Sequence, residues 1–387
     1  MSLSPSLHIT FLMRSMNYGG AERQVVLLAR ELVRRGHQVA TVVFYPGGPL
    51  EKELRQAGCR VVGLDKRGRW DLAVFLPRLA RAVRGLGTQV LISYLDVPNV
   101  IAALLRPLLP GAAVVWGVRA SNMDLSRYGW FHRLAFALER PLSRLSHLII
   151  CNSSAGLEHV RRAGFAPDRL VVVPNAIDTA RFRPLPREGR ALRRELGLAP
   201  GQSLVGLVGR LDPMKDHPTF LRAAALLARE RGEVHFACVG NGPPDYRARL
   251  ETLGRELGLE GRLHWLPGRD EVEQVYNALD LLCSASLYGE GFPNVVGEAM
   301  ACGTPCVVTE VGDAPAVLGG AGKVVPPGDP AALARALAEL LALPPGERRE
   351  LGRRARQRVQ ERFSVGRLAE RTLEAVAASR AGHRLGA

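Results

Sequence analysis

The chain has 387 residues, 47% of them apolar and 23% charged. That is too long for one comfortable core and has the balance of an ordinary soluble globular protein, so two domains are expected. The net charge of +15 is almost all arginine, since lysine stands only at Lys52, Lys66, Lys215 and Lys323. A basic surface attracts anionic lipid headgroups, acidic polysaccharide or nucleic acid. The arginines are dispersed and no recognised nucleic-acid module is present, which argues against nucleic acid as a partner.

Met1 to Ser6 carries no basic leader, and the apolar run at 7–13 reads as a first strand instead of a signal peptide. Further strand-like runs lie at 39–44, 60–64, 89–93, 112–117 and 147–151. Helical periodicity fills most of the gaps, as in AERQVVLLARELVRRG, which predicts a parallel sheet wrapped by helices. No apolar run is long enough to span a bilayer; the nearest, 100–118, is broken by Arg106, Pro107 and Pro110. The stretch NAIDTARFRPLPREGR, rich in Pro and charge, reads as a linker. The alternation then restarts, with strands at 204–208, 234–239, 262–265, 280–283 and 305–308 and a last helical stretch at roughly 364–380.

The expected class is therefore α/β, with two Rossmann-like domains. The expected divisions are a first domain 1–173, a linker 174–190, a second domain 191–363 and a C-terminal helix 364–387. Ligands of open α/β sheets bind beyond the carboxyl ends of the strands, so a cleft between the domains is the expected active site. Cys59, Cys151, Cys238, Cys283, Cys302 and Cys306 lie mostly in apolar stretches without a Cys-x2-Cys pair. Reduced core thiols of a cytosolic protein fit this better than a zinc site or disulfides.

Three places carry chemistry. Gly19 and Gly20 precede a helix, where backbone can approach a phosphate closely, although no GxGxxG fingerprint supports a dinucleotide site. Arg210 and Lys215 follow the strand-like SLVGLVG, and each can neutralise a diphosphate oxygen. The most informative segment is EGFPNVVGEAMACGTPCVV at 290–308. Pro293 suits a helix start, so a helix is expected from Asn294 to Ala301, stopped by Gly303-Thr304-Pro305. Glu298 then projects one turn in, and Glu290 sits on the loop before it. Two carboxylates about a helix N-terminus suit a ligand with hydroxyls at both ends and phosphates between, which describes a nucleotide-sugar.

This Glu-x7-Glu arrangement resembles retaining glycosyltransferases of family 4, which have the GT-B architecture of two Rossmann-like domains facing each other across a cleft. The resemblance also takes in MNYGGAERQV at 16–25, VVVPNAIDTARF at 171–182, VGRLDPMKDH at 208–217 and VGNGPP at 239–244, in the family's order. It implies that the C-terminal domain binds a UDP- or GDP-sugar. Glu290 would contact the transferred sugar, and Arg210 and Lys215 would stabilise the leaving diphosphate; these three are the expected catalytic residues. Glu298 would bind the ribose hydroxyls. Gly209 and the backbone N–H groups of Gly291, Phe292, Asn294 and Val295 complete the donor side. Many relatives have Gly where Pro293 stands.

The N-terminal domain would supply the acceptor side, with Gly19 and Gly20 near the donor diphosphate or the acceptor. Many members place a His on the loop after a mid-domain strand; here WGVRASNMD puts Arg119 there, with His132 and His147 too far along to replace it. No Asp-x-Asp pair occurs, so neither metal nor cofactor is expected. A saccharide or lipid-linked saccharide acceptor is expected, in bacterial surface or exopolysaccharide synthesis. The segment RYGWFHRLAFALERPLSR at 127–144 mixes aromatic, leucine and arginine residues and suits either peripheral contact with an anionic membrane or ordinary helix packing. A nucleotide-sugar 2-epimerase and a catalytically inactive relative are the alternatives.

Overall fold

A computed structural model of the protein describes residues 6–66, 68, 71–119 and 130–381, with backbone only at 72, 130–133 and 135. Two compact units emerge, one of residues 1–176 with 365–387 and one of residues 177–364.

The first unit holds a seven-stranded sheet. Its strands are β1 (His8–Met13), β2 (Gln38–Val43), β3 (Arg60–Gly63), β4 (Val90–Tyr94), β5 (Ala113–Val118), β6 (Leu148–Cys151) and β7 (Leu170–Val172). The order β3-β2-β1-β4-β5-β6-β7 is parallel throughout. The second unit holds β8 (Ser203–Val208), β9 (Val234–Val239), β10 (Leu263–Leu266), β11 (Leu281–Ser284), β12 (Cys306–Thr309) and β13 (Gly322–Val325). They pair in parallel in the order β10-β9-β8-β11-β12-β13. Strand order reverses between β1 and β4 in one sheet and between β8 and β11 in the other. Such reversals leave a crevice at the carboxyl ends of the central strands.

Helices cover both faces, which is why the strands read as unbroken apolar runs without alternation. Along β1, Phe11 joins the apolar cluster of one face and Leu12 that of the other. In the second unit Leu282 and Cys283 divide in the same way. All six cysteines are buried free thiols. The helix Val365–Arg380 buries Leu368, Ala369 and Val376 in the core of the first unit, and Ser379 Oγ donates to the His147 carbonyl at 2.8 Å.

The sequence-based reading differs from the structure in two respects. It omits β7 and β13, each at one edge of its sheet: β7 has only three residues, and β13 exposes Lys323 and Val324. The stretch read as a linker is also packed. Ile177 and Phe182 are core residues of the second unit, and the Ile177 amide donates to the Phe363 carbonyl at 2.8 Å. Two apolar anchors outweigh the charge between them and the prolines that follow.

One buried network has a consequence for stability. Ser93 Oγ donates to Asn99 Oδ1 at 2.7 Å, and Asn99 Nδ2 donates to Glu139 Oε1 at 2.8 Å. Burial, reinforced by Asp96, pushes the Glu139 carboxyl from 4.5 up to about 8. The folded protein therefore holds Glu139 protonated at neutral pH, whereas the unfolded chain ionises it. The stability that Glu139 contributes is complete below the unfolded value and drains away as pH rises toward the folded one, by about 1.4 kcal/mol per unit. Glu139→Gln cannot ionise and is expected to gain on the parent progressively between about pH 5 and pH 8. Urea denaturation across that range checks this; a constant difference would contradict it.

Candidate active site

Arg210, Lys215 and Glu290, expected from the sequence to be functional, follow the carboxyl ends of β8 and β11, where strand order reverses. After β8 the chain runs through Gly209 and the exposed Arg210 into a single turn of 3-10 helix, Pro213–Lys215. Asp212 starts that turn by accepting the Met214 N–H at 2.9 Å. Asp216, in the left-handed region at φ 47°, then accepts from the Thr219 amide at 3.2 Å and caps the helix His217–Glu230. A local Asx turn followed by an N-cap thus fixes the Lys215 backbone from both sides.

Lys215 Nζ pairs with Glu290 Oε1, and Ser286 Oγ donates to the same oxygen at 2.7 Å. Both charged side chains are largely buried, at 15% and 8% exposure, which makes the pair a firm tie between the two strand ends. The Leu287 amide reinforces it by donating to the Met214 carbonyl at 2.9 Å.

Two glycines on the neighbouring strand ends let other backbone pass close to these two loops. A Cβ at Gly240, φ 151°, would lie 1.9 Å from the Gly209 carbonyl oxygen, and one at Gly312, φ 57°, would lie 2.0 Å from that of Glu290. Only glycine tolerates both the dihedral and the contact.

The helix Asn294–Ala301 begins and ends where the sequence predicts. Asn294 and Val295 occupy its first turn, where amides have no carbonyl one turn back. The side chain of Phe292 faces the core, edge-on to Phe363 with centroids 5.1 Å apart, so this residue can offer a ligand only its backbone. Gly291 is buried beside it, and its carbonyl accepts from the Asp313 amide at 3.1 Å. Glu298 is half-buried, and Tyr276 Oη donates to its Oε2 at 2.7 Å. The nearby Cys302 thiol is pushed up to about 12 by burial, and burial raises Cys306 as well, so neither is a nucleophile.

Gly19, Gly20 and Arg119 belong to the first unit. Gly19 is the extended N-cap of the helix Gly20–Arg34. The Glu22 carboxylate folds back over it, at 2.2 Å from where a Gly19 Cβ would stand, and burial raises its pKa. A carboxylate thus sits at a helix N-terminus where the glycines alone suggest phosphate. Gln24 grips Ala176, donating to its carbonyl and accepting from its amide, both at 2.8 Å. This joins the MNYGGAERQV and VVVPNAID segments.

Arg119 donates through Nη1 to Asn175 Oδ1 at 2.8 Å and lies 4.2 Å from the Tyr94 ring centroid. His147 accepts the Val114 N–H at 3.0 Å through Nδ1, near the start of β5, whereas Arg119 follows the end of that strand. Residues 120–124 of the Arg119 loop, residues 127–129 and the His132 side chain lie outside the described residues. Glu22, Gln24, Tyr276, Ser286 and Gly312 were not singled out by sequence reasoning. The first two stand inside a quoted motif; nothing local marks the others.

The Lys215–Glu290 tie yields a test. Lys215→Met strands a buried carboxylate, whereas Lys215→Met with Glu290→Gln leaves no charge. The single variant is expected to unfold more easily than the double by about 2 kcal/mol. Chemical denaturation of the parent and both variants decides it.

Comparison with known proteins bears on the family and the fold. The profile of Glycosyltransferase Family 4 matches residues 18–181, and that of Glycosyl transferases group 1 matches residues 202–343. Among curated proteins, the D-inositol 3-phosphate glycosyltransferase of Nocardia farcinica is 38% identical over 226 residues, 55% of this chain and 48% of that protein. The protein of the same name from Mycolicibacterium gilvum is 39% identical over 46% of this chain and 40% of its own length. The match therefore spans about half or less of these relatives.

Among solved structures, Anabaena HepE in complex with UDP-glucose superposes with a TM-score of 0.81 at 23% identity, covering 96% of this chain and 99% of that one. Sucrose-phosphate synthase from Thermosynechococcus elongatus gives 0.78 at 22%, covering 97% and 99%. At this identity the likeness establishes the fold, which is GT-B. With one family profile on each half, the chain belongs to the group 1 glycosyl transferases of glycosyltransferase family 4.

Proposed function

We propose that the protein is a retaining, metal-independent glycosyltransferase that moves a sugar from a UDP- or GDP-sugar to a hydroxyl of a saccharide or lipid-linked saccharide. The observation that carries this reading is the buried Lys215–Glu290 pair beside Arg210 at the carboxyl end of β8. It sets cationic groups and a carboxylate at two adjacent strand ends, as a diphosphate joined to a polyol requires.

In this scheme the bond between the anomeric carbon and the diphosphate oxygen breaks while the acceptor oxygen bonds to the same face. The acceptor proton passes to the departing diphosphate. Arg210 and Lys215 neutralise the negative charge that grows on that leaving group, so they act on rate as well as on binding. Glu290 accepts hydrogen bonds from sugar hydroxyls. Glu298, one turn into its helix, accepts from the ribose.

A thermal-shift screen with UDP, GDP, ADP, CMP and dTDP, with and without EDTA, tests the reading. A ligand that prefers the folded state adds about 2.7 kcal/mol at a hundredfold excess over its dissociation constant. A shift with UDP or GDP is expected, unaffected by EDTA and lost in Arg210→Ala with Lys215→Ala. No shift with any diphosphate would overturn the donor site.

The acceptor reading includes peripheral membrane contact in surface-polysaccharide synthesis. No described helix is long and apolar enough to cross a membrane. The helix Trp130–Leu142 nevertheless exposes Leu134 and Leu138, at 47% and 41%, one turn apart. Exposed leucines on a basic segment suit a headgroup interface. Flotation with vesicles rich in phosphatidylglycerol is expected to carry the protein at low salt, and Leu134→Ser with Leu138→Ser to leave it behind. Failure of the parent protein to float would remove this part of the reading.

A further inference from the structure

Glu298 is a flexible side chain asked to hold a ligand in one orientation, and the structure shows what limits its freedom. Tyr276 lies on the helix Val272–Ala278, is fully buried, and donates its hydroxyl to Glu298 Oε2 at 2.7 Å. Its ring meets Phe182 edge-on, with centroids 6.0 Å apart. Its own carbonyl accepts from Thr304 Oγ1 at 2.7 Å, and the neighbouring Asn277 donates through Nδ2 to the Arg183 carbonyl at 3.0 Å. Burial and the adjacent carboxylate raise the Tyr276 phenol, so it remains a donor at every physiological pH. A buried hydroxyl without an acceptor is costly, so the bond is maintained.

We propose that Tyr276 is a positioning residue for the donor nucleotide: it pins one oxygen of Glu298 so that the carboxylate is oriented for the ribose hydroxyls before the nucleotide arrives. This rests on the donor-site reading above. Tyr276 itself touches no substrate. Its contribution is preorganisation: the torsional freedom of Glu298 is given up on folding and not on binding. The effect must therefore be confined to ligands that present ribose hydroxyls.

Isothermal titration with UDP and 2′,3′-dideoxy-UDP, or the guanine pair if the screen selects GDP, separates this role from a structural one. The parent protein is expected to prefer the ribose form by about tenfold or more, as for hydrogen bonds to a charged group. Tyr276→Phe keeps the ring and its packing. It should lower the affinity for the ribose form several-fold, leave the dideoxy form unchanged, and so shrink the preference. Glu298→Gln should shrink it too, and adding Tyr276→Phe to Glu298→Gln should change nothing further.

An unchanged preference in Tyr276→Phe, or an equal loss for both ligands, would overturn the positioning role while leaving the donor site intact. Additive effects of the two substitutions would do the same. A parent protein that binds neither diphosphate would overturn the donor-site reading, and this inference with it.

Discussion

The second unit is organised around one contact, the buried pairing of Lys215 with Glu290. It joins the turn after β8 to the loop after β11 across the point where strand order reverses. Each partner is placed by short-range chemistry, the Asp212 and Asp216 caps on one side and the Ser286 hydroxyl on the other. The flanking strand ends pack against these loops through Gly240 and Gly312, where a methyl group would collide with the Gly209 and Glu290 carbonyls. In a chain that uses arginine almost everywhere else, an ammonium at this position is informative. A compact point charge on a thin stem fits beside Gly209, where a planar guanidinium fork demands more room. The pair is costly to bury and gains from geometry, which suits a site that must hold charge in place while a ligand comes and goes.

The two units answer the same topology with different electrostatics. Each presents a glycine-containing loop at a strand end beside a helix N-terminus. In the second unit the reversal point carries cations, Arg210 and Lys215. In the first, the Glu22 carboxylate already lies over Gly19 at the start of the helix Gly20–Arg34. A carboxylate at that position competes with phosphate for the same amides and attracts hydroxyl donors instead. On the proposed reading, this assigns the diphosphate to the second unit and hydroxyl recognition to the first, and it weighs against Gly20 as a phosphate contact.

Much of the fold was legible because parallel strands covered on both faces must be apolar throughout. Runs such as residues 89–93 and 234–239 announce themselves without any alternation to decode. Two of the four edge strands, β7 and β13, were not read: β7 has only three residues and β13 exposes Lys323 and Val324, whereas the equally short edges β3 and β10 were read. The packed stretch 177–185 was misread for the opposite reason: Ile177 and Phe182 are each isolated in a polar context, and only tertiary contact reveals them as core. The helix carrying Glu298 could be bounded to the residue because Pro and Gly at its ends are local signals. Tyr276 and Ser286 could not be found, because a hydroxyl that orients a carboxylate is defined by distance in space. No spacing in the chain encodes it.

Arg119 sharpens the chemistry of the proposed reaction. From the sequence a histidine is expected on the loop after β5, where Arg119 stands instead, and an arginine is not a substitute acid or base. Its guanidinium bonds Asn175 and lies against the Tyr94 ring, both of which hold it as a fixed cation. Histidine can give up its proton near neutral pH, whereas arginine cannot. Whatever Arg119 contacts, it can orient a group or neutralise its charge but cannot accept a proton from an acceptor hydroxyl. In the same-face displacement proposed above, the departing diphosphate is the group that takes the acceptor proton, and Arg119 is not asked to do so. On that proposal, Lys215 and Arg210 would temper the basicity of the phosphate while stabilising its charge. A site working in this way has to balance two demands, a good leaving group and a competent base, with the same pair of cations.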